Sequence, residues 1–137
     1  MTCRWAGLRA MTVRRTLPQR QRTLIGAWCF VDHYGPDRVF ESGGMDVPPH
    51  PHTGLQTASW LFRGRDRASR QCRHTTPWCS PGELNSDDRR QRHLALGADP
   101  LTTTTSILAG IQLWIALPEA RAASSDAGFE HYAPPAD

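Results

Sequence analysis

The chain has no lysine at all: its 16 basic residues are all arginine. That bias points to a GC-rich gene more than to a ligand, and a net charge of +3 is too small to argue for a nucleic-acid partner. Cysteine is scarce. Cys3, Cys29, Cys72 and Cys79 form no C-x-x-C pair, and the arginine-bearing start lacks the apolar centre of a signal peptide. Neither a disulfide framework nor secretion is therefore expected. No apolar run nears the roughly 20 residues that a membrane helix needs. The expectation is a soluble cytoplasmic protein whose 137 residues build one domain around one core.

What is present changes character along the chain. Residues 13–62 and 102–118 are rich in β-branched and aromatic residues punctuated by glycine and proline. Three runs read as strands, 23–31 (TLIGAWCFV), 55–62 (LQTASWLF) and 107–117 (ILAGIQLWIAL), the first ending at a DHYGPD turn. Between Arg63 and His93 the pattern fades; that stretch holds eight of the 16 arginines and few apolar residues. With no helical periodicity and no repeat, an all-β barrel or sandwich is predicted. Trp28, Trp60 and Trp114 are assigned to its core.

One short segment carries chemistry. In PPHPHTGLQT, His50 and His52 stand two residues apart between prolines. In an extended backbone residues i and i+2 face the same side, and proline stiffens the segment, so two imidazoles can aim at one first-row metal. The pattern alone also fits a pair of surface histidines in a proline-rich loop. Gly44 and the H-x-H pair resemble the opening of the first cupin motif, with Gln56 where many cupins place a glutamate. Longer strings are more specific. RRTLPQ, TLIGAWCFVDHYGP, GGMDVPPHPHTGLQTASWLF, PGELN, GIQLWIALP and FEHYAPP occur in order over residues 13–137 and resemble the N-terminal domain of the pirin family.

The resemblance implies an all-β, cupin-like jelly-roll barrel that binds one non-haem iron through three histidines and a glutamate. His50 and His52 would be the first two ligands. Some pirins resemble quercetin dioxygenases, which implies a small aromatic, flavonoid-like substrate, while eukaryotic members act as nuclear transcription cofactors. After PGELN the family continues with a segment like LMTAGxGISHSE, whose histidine and glutamate complete the iron site. Here residues 86–97 read SDDRRQRHLALG instead. Codons permitted for that string, read one nucleotide later, encode LMTAGSGISHSE, and those for 65–74 encode EIEHRDSAG. The third histidine falls under Ala95 and the glutamate under Gly97.

The expected organisation is an N-terminal extension (1–12) and a pirin-like cupin domain (13–137), incomplete as a barrel. Segments 64–80 and 86–98 are read as out of frame, and the second cupin domain as absent. The out-of-frame segments are expected to be irregular or poorly packed, and the uncovered apolar surface to favour self-association. The leading function is a pirin-like protein with a vestigial, non-catalytic iron site. The alternatives are a working quercetin 2,3-dioxygenase-like enzyme, with His93 as third ligand, and a metal-independent interaction protein. Rival sites are weaker. The arginine-rich stretch 63–74 lacks aromatics and helical spacing, so no nucleic-acid partner is assigned. Cys72, His74, Cys79 and His93 match no zinc spacing. His33 and His131 are assigned turn and packing roles.

Overall fold

The computed structural model describes residues 2–4, 11–42, 45–50, 52–64, 66–67, 78–88, 92–96, 107–122 and 128–135. Its strands are β1 (Thr2–Arg4), β2 (Thr12–Leu17), β3 (Trp28–Arg38), β4 (Met45–His50), β5 (Leu55–Arg63) and β6 (Asp66–Arg67), followed by β7 (Trp78–Cys79), β8 (Leu84–Asp87), β9 (Arg92–Leu96), β10 (Ile107–Ala116) and β11 (Phe129–Tyr132). Two single-turn helices, α1 (Val39–Ser42) and α2 (Glu119–Ala122), complete the described elements. The strands form two sheets, one ordered β1-β2-β3-β10-β5-β8-β11 and one ordered β4-β9-β6-β7. All named pairings are antiparallel. Among the described residues no helix is long and apolar enough to cross a membrane.

Strand propensity explains the centre of the large sheet. β10 is fed by Ile107, Leu108, Ile111, Leu113, Trp114 and Ile115, and it pairs with β3 on one side and β5 on the other. Alternation then divides the sheet into two faces. Val13, Tyr34, Leu61 and Leu108 are buried inside it, and Cys79 of the small sheet joins them in one cluster. Each such side chain contributes about 1.5–3 kcal/mol of burial. On the other face Trp60 and Phe62 stay 46% and 49% exposed. Trp28 is also exposed, so of the three tryptophans assigned to the core only Trp114 stands on the buried side.

Two expectations need correction. The first strand does not occupy 23–31 and stop at DHYGPD. It starts at Trp28 and runs through that string to Arg38, while Ile25 and Trp28 bridge across a turn containing Gly26 at φ +58°. The glycine-proline step is a bulge, not a turn. Gly35 has φ +74°, the ladder to β10 shifts register beside it, and a Cβ there would lie 2.0 Å from the Leu108 carbonyl oxygen. Only a glycine permits that approach. The second correction concerns the described parts of segments 64–80 and 86–98; residues 65, 68–77, 89–91 and 97–98 lie outside the described residues. They supply β6, β7, the end of β8 and β9, and they bury Cys79 and Asp87. Backbone pairing with β4 and within the small sheet makes these short stretches strands.

Candidate metal centre

A tight turn sets the position of His52. Thr53 and Gly54 have φ +46° and +79°, and the Leu55 N–H donates to the His52 carbonyl at 3.0 Å. Two successive positive φ values define a type I′ turn, which delivers the chain from His52 straight into β5. Leu117 N–H also donates to the Gly54 carbonyl at 2.9 Å, tying the turn to the end of β10. His52 is 2% exposed, and its ring lies 5.1 Å from that of Trp114, centroid to centroid. Trp114 stands opposite Thr57, which is buried, so His52 sits on the inner side of the large sheet. His50 ends β4 at the register position opposite Arg92 of β9.

β9 is therefore the neighbour of the strand that carries His50, and Ala95 falls opposite Asp46. Gly97 lies outside the described residues, and for His93 the backbone position on β9 is all that is described. Gln56 belongs elsewhere. It alternates with buried Thr57, shares its face with exposed Trp60, and donates from Nε2 to Ser86 Oγ at 2.5 Å. Among the described residues no three-histidine, one-carboxylate set is gathered: Ala95 has no side-chain donor atom, and Gln56 turns its amide to Ser86, away from the inner face.

The inner face of the large sheet carries a second feature that the sequence did not announce. Register places Arg15 opposite Asp32, Asp32 opposite Gln112, Gln112 opposite Ser59, Ser59 opposite Asn85, and Asn85 opposite His131. Directly opposed residues project from the same face, so six polar side chains cross the sheet in one row. At one end the Arg15 guanidinium grips buried Asp32 through two bonds of 2.7 Å and lies 4.9 Å from the Phe30 ring centroid. In the middle, Gln112 Oε1 and Asn85 Nδ2 are buried without a hydrogen-bond partner among the described residues. Such atoms cost about 1–3 kcal/mol each when nothing meets them, which marks this row as a place for polar company.

At the other end of the row, His131 meets a turn. Ser80-Pro81-Gly82-Glu83 closes with Glu83 N–H on the Ser80 carbonyl at 3.0 Å, and Gly82 takes φ +85°, the requirement of a type II turn with proline second. The turn folds Glu83 back towards Cys79, where its Oε2 accepts the Ser80 N–H. The Cys79 thiol donates to the Glu83 carbonyl at 3.5 Å. His131 Nδ1 lies 2.8 Å from Asn85 Oδ1, and its Nε2 lies 3.7 Å from Glu83 Oε2. One ligand atom each from Cys79, Glu83 and His131 lies within 4.8 Å of the others. His131 is thus part of a donor cluster, where turn and packing had been expected. The signal lay in PGE and FEH, which come together only through the β5–β8–β11 pairing.

Comparison with known proteins fits this architecture. The sequence profile of the family described as Pirin matches residues 9–115. A Pseudomonas aeruginosa protein with the provisional name quercetin 2,3-dioxygenase is 37% identical over 122 residues, which are 79% of this chain and 33% of that protein. A Caulobacter vibrioides pirin-like protein is 31% identical over 91% of this chain and 44% of its own length. The chain thus spans between a third and a half of these curated relatives. The crystal structure of a quercetin 2,3-dioxygenase from Acinetobacter baumannii superposes with a TM-score of 0.73 at 36% identity, covering 96% of this chain and 42% of that one. A Geobacillus kaustophilus structure, 18% identical with a TM-score of 0.63 over 95% of this chain and 48% of its own, shares the fold. With an all-β, incomplete cupin-like barrel and a family match over most of its length, this chain belongs to the pirin family.

Proposed function

We propose that this chain is a pirin-type cupin whose iron site is a remnant, held by His50 and His52 and without catalytic activity. The observation that carries this reading is the β4–β9 pairing: the strand beside His50 offers Ala95 where the family resemblance expects an imidazole. Two imidazoles alone hold Fe(II) weakly, because water must fill the remaining positions and the hard anionic ligand is gone. Relatives named quercetin 2,3-dioxygenase support a flavonoid-type aromatic substrate for a cupin with the full ligand set. This chain, two donors short, does not turn such a substrate over. The same reading takes segments 64–80 and 86–98 as products of a shifted frame, which the nucleotide sequence of the gene decides. It also treats the protein as cytoplasmic.

Elemental analysis of the purified protein, beside His50→Ala and His52→Ala, tests the proposal. Iron should be near zero in all three. About one iron per chain in the wild type, abolished by either substitution, would mean a complete site rebuilt from other ligands.

A further inference from the structure

We propose that Cys79, Glu83 and His131 form a second metal site, separate from the His50–His52 pair, that takes a single Zn(II)-class divalent ion through three protein ligands and leaves a fourth position for water. Three Lewis bases converge there: a thiol sulfur, a carboxylate oxygen and an imidazole nitrogen, all within 4.8 Å of one another. That donor set suits a borderline-soft ion, and three protein ligands with one open position is an arrangement zinc adopts.

The second observation is the company His131 keeps. Asn85 Oδ1, 2.8 Å from Nδ1, is an acceptor, so Nδ1 donates to it and Nε2 is the nitrogen turned towards Glu83. Nε2 lies 3.7 Å from Glu83 Oε2, close enough for both atoms to meet one cation, a proton or a metal ion. Bonds of 2.0–2.2 Å around a tetrahedral ion put neighbouring ligand atoms about 3.4 Å apart, so the pair is already close to a coordination edge. Metal-bound histidines usually donate their other ring N–H to a fixed oxygen acceptor, the part Asn85 Oδ1 plays here. Asn85 is 2% exposed, and its Nδ2 has no hydrogen-bond partner among the described residues, so its amide serves His131 rather than a closed network.

The scaffold is also prepared. The type II turn fixes Glu83 above Cys79, and β8 pairs with β11 so that Asn85 and His131 face each other. Cys79 is 1% exposed, while the His131 and Glu83 side chains are 21% and 22% exposed, so an ion can enter from their side. Binding would displace the thiol proton to solvent and leave a thiolate on the metal. The ion would pin β7, in the small sheet, to β11 at the edge of the large one.

The test uses the intact chain, reduced, stripped with chelator and titrated with Co(II) under anaerobic conditions. About one equivalent should produce the near-ultraviolet thiolate-to-cobalt band, and Zn(II) should displace it. Cys79→Ser should abolish the band, whereas Cys29→Ser and the His50→Ala, His52→Ala pair should leave it. Glu83→Gln and His131→Ala should each weaken Co(II) by at least about tenfold, and Asn85→Leu by about 10–100-fold with Asn85→Asp restoring it. A wild type without the band, or a Cys79→Ser protein that keeps it, overturns the proposal. If Cys79→Ser does not fold, Glu83→Gln decides: an unchanged cobalt affinity overturns the site.

Discussion

The two donor sets of this molecule are built in opposite ways. His50 and His52 are neighbours in sequence, two residues apart in a proline-rich segment, and β9, the partner of the strand that ends at His50, carries Ala95 opposite Asp46. Cys79, Glu83 and His131 come from a strand end, a turn and the last strand, and converge only because β5, β8 and β11 pair in register. A local spacing needs only its own segment, whereas a long-range convergence depends on the whole sheet. The two sets should therefore respond differently to damage.

The largest effect should come from Gly35→Ala. A Cβ there meets the Leu108 carbonyl oxygen at 2.0 Å and the Ala109 Cα at 2.9 Å, both backbone atoms that cannot step aside. A loss of more than about 4 kcal/mol is expected, and chemical denaturation should show it. Both donor sets should be lost together, because β3 and β10 anchor the sheet beneath them. A protein that melts like the wild type would show that the bulge is not needed.

Asp32→Ala comes next. It strips the buried partner from Arg15 and opens the far end of the polar row. Removing one member of a buried ion pair costs about 3–5 kcal/mol, of which the 25% exposure of the Arg15 side chain recovers part. Urea unfolding should place the loss at the low end of that range, and Asp32→Asn should cost less. Equal losses would mean that the charge contributes little beyond the hydrogen bonds.

Seen from its other side, the same sheet predicts association. Trp60 and Phe62 are exposed, and Trp60 stands in register with Leu84 and, beyond it, exposed Tyr132. Sedimentation at high concentration should show species larger than a monomer, and a Trp60→Glu, Phe62→Glu double variant should shift them to monomer with little change in stability. A wild type that sediments as a clean monomer would contradict this.

The smallest effect concerns the turn beside His52. Thr53 is β-branched yet sits at φ +46°, which costs about 1–3 kcal/mol. Thr53→Asn creates the Asn-Gly pair that type I′ turns favour and should stabilise the protein by about 1 kcal/mol. A thermal melt checks the sign. No gain would mean that the turn is held by its tertiary bonds to β10 alone.

Much of the fold was legible because β5 and β10 are long, β-branched and aromatic, so local pattern and tertiary role agree. DHYGPD misled because a glycine-proline step looks the same in a turn and in a bulge; only the Leu108 backbone pressed against Gly35 tells them apart. The His50–His52 pair stands out from its spacing alone, without reference to the fold. His131 does not, since its amide partner Asn85 lies 46 residues away and the contact exists only after β8 and β11 pair. The strands within 64–80 and 86–98 escaped notice for a different reason. Their arginine-rich composition hides an extended backbone whose pairing partners, not its own side chains, make it a strand.

The remnant-site proposal is tested most directly by putting the missing ligands back. Iron is measured after anaerobic Fe(II) loading in the wild type and in an Ala95→His, Gly97→Glu double variant, both carrying Cys79→Ser to silence the second donor set. The wild type should hold almost none, and the double variant should approach about one iron per chain, lost again on His52→Ala. A wild type that already binds about one iron through His52 would contradict the proposal.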